Sequence, residues 1–172
     1  MTAEIHGSGI NEPAQSRIVV GVDGSPTSFE ALEWAVREAR LRGATLEVTH
    51  VTFIPDDVLE LETLAEFSQR VRSILETALA KAKSMAPDVR ILSRAVDPPA
   101  AKALVEISKD ADLLVVGSRG LGPFKEFALG SVSHDCARHA RCPLVIIGPR
   151  TSPSAQIRIR RPTRLVTTCL LR

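Results

Sequence analysis

The sequence predicts an α/β fold, a single doubly wound parallel sheet with helices on both faces. Three observations carry this. Short β-branched runs alternate along the chain with segments of helical periodicity. The connections between successive strands are long enough for a crossover, which parallel neighbours require. Two strands end in clusters of Asp, Gly and Ser, as expected where the winding of such a sheet reverses and a ligand site opens.

Residues 1–16 are polar, with Gly, Pro and Ser, and read as a flexible lead-in. The run RIVVGV at 17–22 suits a strand buried on both faces. Asp23-Gly24-Ser25-Pro26 then interrupts it. Ser25 is placed to cap a helix with Pro26 at its first position, and Thr27-x-x-Glu30 is a competing capping box. That helix reaches about residue 42, with Phe29, Leu32, Val36 and Ala39 at helical spacing and Gly43 as its stop. Residues 45–51 (TLEVTHV) form a second strand. A loop at 55–57 precedes a long helix over 58–85, whose stripe is Leu64, Val71, Leu75, Ala78 and Ala82, and which Pro87 ends. A third strand follows at 89–95. The next helix starts at Asp97-Pro98-Pro99 and runs to about 109, with Ala103, Leu104 and Ile107 inward. Residues 112–117 (DLLVVG) are a fourth strand, 130–139 a helix and 143–147 (PLVII) a fifth strand.

Composition narrows the function. Hydrophobic residues make up 44% of the 172, enough for one folded core. Aromatics are 3% and tyrosine is absent, which disfavours a stacking platform for single-stranded nucleic acid. The net charge of +2 conceals an asymmetry: residues 149–172 hold six arginines and no acid, leaving 16 basic against 20 acidic residues in the body. A body at about −4 is no nucleic-acid surface. No apolar stretch reaches a membrane span of roughly 18 residues, and the N-terminus lacks a basic start and an apolar core, so it is no secretory signal. Cys136, Cys142 and Cys169 form no C-x-x-C pair. The expected location is cytoplasmic.

The chemistry concentrates between Val116 and Ser133. Gly117 turns the chain as the fourth strand ends. Gly120 and Gly122 keep side chains away from a ligand, and Ser118, Arg119 and Lys125 offer polar groups beside Leu121 and Pro123. Gly130 opens a helix whose first turn holds Ser131, Val132 and Ser133. Free N–H groups there, with hydroxyls beside them, suit a phosphate chain. An ordinary glycine-capped connection is the alternative for a lone glycine cluster. The fixed spacing Gly117-x-x-Gly120-x9-Gly130-Ser131, the strand before it and Asp23 at the other candidate strand end favour the ligand reading.

With these segments, and with Ile18-Val19-Val20-Gly21-Val22-Asp23-Gly24-Ser25 and Cys142-Pro143-Leu144-Val145-Ile146-Ile147, the chain resembles the universal stress protein family in its ATP-binding branch. The resemblance covers about residues 17–148. It implies a five-stranded parallel sheet of order 3-2-1-4-5 and an adenine-nucleotide site. Gly21, Val22 and Asp23 match the end of the first strand, where the aspartate meets the nucleoside. Val51 matches a position beside the adenine, and Val116 and Gly117 the pair flanking base and ribose. Gly120, Gly130, Ser131 and Val132 match the phosphate cradle, which Ser133 extends. Ser118, Arg119, Leu121, Gly122 and Pro123 complete the loop. The cofactor so implied is ATP, with Mg2+ carried on its phosphates. The sequence departs from the family at Pro123, at Asp97 and at Cys136.

Three functions follow as expectations. The first is an ATP-binding stress-response regulator with little or no turnover, since neither a general base nor a Walker lysine stands out. The second is a slow ATPase or phosphotransferase using Ser131 or Ser133 with Asp23 orienting water. The third is a cyclic AMP-binding or nucleotide-independent interaction module. No catalytic or metal-ligating residue is assigned. His134 and His139 do not share a helix face, so they make no metal pair. His50 packs beside Val51, Cys136 and Cys142 are inert thiols, and Trp34 covers the core edge. A homodimer is expected through the fifth strand, 143–147, whose apolar edge would otherwise be bare; the resemblance implies antiparallel pairing across a two-fold axis. Residues 149–172 read as a disordered basic tail, although the alternation Ile157-Arg158-Ile159-Arg160-Arg161 has strand character, and a docking tail for an acidic partner is the alternative.

Overall fold

The structure, a computed structural model, describes residues 16–51, 64–96, 99–120, 129–149 and 158–160. The chain runs β1 (Arg17–Val22), α1 (Pro26–Arg42), β2 (Thr45–Val51), α2 (Leu64–Met85), β3 (Ile91–Val96), α3 (Ala100–Ile107), β4 (Leu113–Gly117), α4 (Ser131–His139), β5 (Leu144–Ile147) and β6 (Arg158–Arg160). A short 3-10 turn, Ser108–Asp110, extends α3. The sheet order is β3-β2-β1-β4-β5-β6. The first five strands are parallel, in the order expected; β1 lies beside β2 and β4, so the winding reverses there.

Strand alternation divides the core into two. Ile18, Val20, Val22, Leu46, Val48 and Val115 face α1 and α2, packing against Leu32, Val36 and Ala78. Val19, Leu114, Val116, Leu144 and Ile146 face α3 and α4, packing against Leu104 and Cys136. Continuous apolar runs in β1 and β4 follow from burial on both sides. β3 is mostly exposed, as the flanking strand of the sheet.

Ser25 wins the competition to cap α1. Its Oγ accepts the Ser28 N–H at 3.3 Å, and Pro26 occupies the first helical position, where its missing N–H leaves no unmade bond. Gly43 ends the helix in the left-handed region (φ 62°). The Asp97-Pro98 start expected for the third helix lies outside the described residues, as do residues 52–63, including the first part of the helix expected from 58.

The tail departs from expectation. Residues 158–160, read as part of a disordered segment, form β6 and pair antiparallel with β5, Val145 opposite Ile159. The Ile/Arg alternation was the signal, and the β-branched residue within it suits a ladder. The edge of β5, expected to pair with a second copy, is here covered by the same chain. The rest of 150–172 and residues 1–15 lie outside the described residues.

Candidate functional site

The site grows from the carboxyl ends of β1 and β4, which the topology places side by side. At the end of β1 the backbone leaves the sheet through Asp23 and Gly24, the latter at φ 90°. Asp23 Oδ1 accepts the Ser25 N–H at 2.9 Å and the Ser25 hydroxyl at 2.6 Å. An aspartate in this turn fixes both the entry to α1 and its own carboxylate. Gly24 is pressed by α2: a Cβ there would lie 3.1 Å from Ile74 Cδ1.

At the end of β4 the four residues 117–120 do different work. A Cβ on Gly117 would lie 2.9 Å from the backbone carbon of Thr27, so glycine is required there by the approach of β4 to the first turn of α1. Ser118 is buried and joins three elements: its N–H donates to the Ile147 carbonyl at 2.7 Å, and its carbonyl accepts from the Gly130 N–H at 2.7 Å and the Ser133 hydroxyl at 3.0 Å. The Arg119 carbonyl accepts from the hydroxyls of Thr27 and Ser25, which fasten the loop to the start of α1. Gly120 closes against Asp23, and a Cβ on it would collide with Asp23 Oδ2. The two strand ends thus meet at Asp23 and Gly120.

Gly130 N-caps α4 without any side-chain cap, and the first turn contains no acidic residue. The N–H groups of Ser131, Val132 and Ser133 have no acceptor within the helix, which makes this terminus attractive to an anion. Gly130 itself is at φ −71°, open to any residue, and a Cβ on it would meet its nearest neighbours at 3.6–3.7 Å, ordinary contact. Among the described residues, nothing packs closely enough to demand glycine at this position.

The expected site residues separate by environment. Gly21, Val22, Val116, Ser118 and Ser133 are buried or nearly so, and Val22 and Val116 send their side chains into the two cores, so only their backbone can meet a ligand. Ser133, expected to extend the cradle with its hydroxyl, is buried and directs that hydroxyl to the carbonyls of Gly130 and Ser118. The helical position faces the strand behind it, and the hydroxyl's one proton is shared between these two carbonyls. Asp23, Gly117, Arg119, Gly120, Gly130, Ser131 and Val132 surround the junction with partial or full exposure. Val51 ends β2, opposite Val96. Leu121, Gly122 and Pro123 lie outside the described residues. Sequence reasoning missed the tie from Ser25 and Thr27 to the Arg119 carbonyl; hydroxyls at a helix start beside a switch point were its only trace.

His50 flanks the site from β2, in register with Val22. Burial pushes its ring below the ordinary histidine range, against hydrogen bonding to the Val22 backbone and the nearby Asp23 carboxylate, while Arg70 adds to the lowering. Burial pushes the Cys136 thiol up to about 12 and Cys142 up to about 11, so neither is a nucleophile at neutral pH. Among the described residues no cluster of His, Cys, Asp or Glu could hold a metal ion, and no helix is long and apolar enough to cross a membrane.

Comparison with known proteins agrees with this architecture. A universal stress protein of Mycolicibacterium smegmatis is 37% identical over 134 residues, 77% of this chain and 46% of that protein. One from Mycobacterium tuberculosis is 37% identical over 139 residues, again 46% of its length. The chain thus spans about half the length of these relatives. A solved universal stress protein in complex with cAMP superposes with a TM-score of 0.61 at 30% identity, covering 78% of this chain and 98% of that one. The model of the universal stress protein family matches residues 15–148, nearly all of the described sheet and both strand ends that build the site, and the chain belongs to that family.

Proposed function

We propose that this chain binds an adenine nucleotide, ATP with Mg2+ on its phosphates, at the junction of Asp23, Gly117–Gly120 and the start of α4, and that it acts as a stress-response regulator with little turnover. The observation that carries the reading is Gly130. Neither its backbone angles nor its described neighbours require glycine, yet it stands before a row of amides with no acceptor within the helix. A ligand approaching that backbone closely accounts for the missing side chain. Phosphates would lie on the amides of Ser131 and Val132, and Asp23 would meet the ribose. ATP would bring its own metal, since Mg2+ keeps most of its ligands from phosphate and water.

Turnover is disfavoured by the site's hydrogen bonding. Asp23 Oδ1 is engaged by Ser25, and the Ser133 hydroxyl is turned inward, which leaves Ser131 as the one exposed serine at the cradle. Calorimetric titration with ATP, AMP and cyclic AMP tests the reading. Saturable binding of ATP with phosphate release at the buffer background is expected; no heat with any of the three at millimolar concentration would sink it. Cyclic AMP has a specific claim as the preferred ligand, because the 30% identical universal stress protein was solved with it. Tighter binding of cyclic AMP than of ATP would decide for that second reading. Self-association through the edge of β5 belongs to the same proposal, for the chain with that edge uncovered.

A further inference from the structure

β5 is one of the two outer strands of the parallel sheet, β3 being the other, and is four buried apolar residues long. The side of β5 turned away from β4 is an apolar edge, and an edge of this kind recruits strands. In the structure it recruits the chain's own β6, with Leu144 opposite Arg160, Val145 opposite Ile159 and Ile146 opposite Arg158. Ten residues, 148–157, connect the two strands. The outermost strand of the sheet is then Arg-Ile-Arg, charged where β5 is apolar. Charged edge strands resist further pairing, and two such strands repel each other.

We propose that β6 is a displaceable cover over the self-association edge of β5, so that pairing in cis and dimer formation exclude one another. The inference rests on the self-association stated above and is independent of the nucleotide site. Two features make the cover effective yet removable. A strand on a short connector acts at a local concentration in the millimolar range, well above that of a second molecule at micromolar concentration. Against this, β6 offers three residue pairs among the described residues, and fixing a strand costs chain entropy, so the cover is removable. The tail thereby sets how much of the chain is monomeric.

The test uses the full chain and a variant carrying Arg158→Pro and Ile159→Pro. Successive strand amides point to opposite sides, so one of the two prolines removes a ladder donor whichever register applies. Sedimentation equilibrium should find the parent monomeric at micromolar concentration and the variant dimeric, with dimer affinity raised about tenfold or more. Hydrogen exchange of the Leu144 and Ile146 amides, which face β6 rather than β4, should be independent of concentration in the parent and dependent on concentration in the variant. Equal dimerisation of both proteins overturns the cover, as does parent protection that grows with concentration, which would mean that the edge is filled from a second copy. Monomers in both overturn it together with the self-association reading. ATP titration of the same two proteins reads the nucleotide site separately.

Discussion

Gly117 and Gly130 look alike in sequence and answer to different constraints. At Gly117 a methyl group would press on the backbone of Thr27 at 2.9 Å, and neither backbone segment can give way cheaply. Gly117→Ala should therefore destabilise the fold by about 1–3 kcal/mol, read as a drop in urea midpoint. Gly130→Ala should cost about 1 kcal/mol or less, the loss of a better N-cap, because its added carbon makes only ordinary contacts with the described residues. Its effect should appear instead as a loss of ATP affinity of about tenfold or more in calorimetry, which equal affinity in parent and variant would refute. The glycine spacing was legible in the sequence; the division of labour within it was not, because it depends on how closely α1 crosses β4. His50 gives a second residue-scale prediction. Its ring is held below 6.5 by burial, so the unfolded chain binds the proton more readily than the folded one. Stability then rises with pH, is fully present above about pH 7.5 and falls as pH drops through the unfolded value near 6.5. His50→Gln should flatten the dependence of the urea midpoint between pH 7.5 and pH 5.5. An unchanged slope would show that burial does not perturb this ring.

At the scale of elements, the start of α1 is the fastening point of the site. Ser25 caps the helix, holds Asp23 Oδ1 and approaches the Arg119 carbonyl, while Thr27 hydrogen-bonds that same carbonyl. Loss of a serine cap alone costs about 1 kcal/mol, and up to about 2 kcal/mol where the cap is well placed. Ser25→Ala should reach the upper part of that range, since it also removes the hydroxyl bond to Asp23 Oδ1 and part of the loop tie, while the residue 25 N–H still holds that oxygen. The measurement is a thermal melt beside an ATP titration. A stability loss under half a kilocalorie, or unchanged ATP affinity, would show that Asp23 and the loop are held by other means. The cap itself was readable from Ser25-Pro26, a local pattern. The loop tie joins residues more than 90 apart in sequence and has no local pattern to announce it. β6 was missed for a related reason. Pro153 and Pro162 and the arginine-rich composition argue for an unstructured tail, and a three-residue strand is stabilised only by the edge it meets. The Ile/Arg alternation was visible, but nothing within the tail itself indicates that β5 receives it.

For the whole molecule, the cradle and the sheet are one hydrogen-bonded unit. Ser118 links β4 to the end of β5 through Ile147 and to α4 through Gly130 and Ser133, so a ligand on the first turn of α4 bears on a residue bonded to two strands. Folding of the site and folding of the sheet are then coupled, and a ligand that needs the assembled cradle stabilises the whole domain by mass action. ATP at about 100 times its dissociation constant should add about 2.7 kcal/mol, which for a domain of this size raises the melting temperature by roughly 5–10 °C. The gain should grow by a further 1.4 kcal/mol or so for each tenfold increase in ATP, and it should disappear in Gly130→Val, whose ligand-free melting temperature falls by only the few degrees a poorer N-cap costs. Differential scanning calorimetry across an ATP series measures both. A shift that persists in Gly130→Val would place the nucleotide away from the α4 terminus. A nucleotide-independent melting temperature in the parent would mean that no folded-state site exists, because tight binding restricted to the native state cannot leave unfolding unchanged.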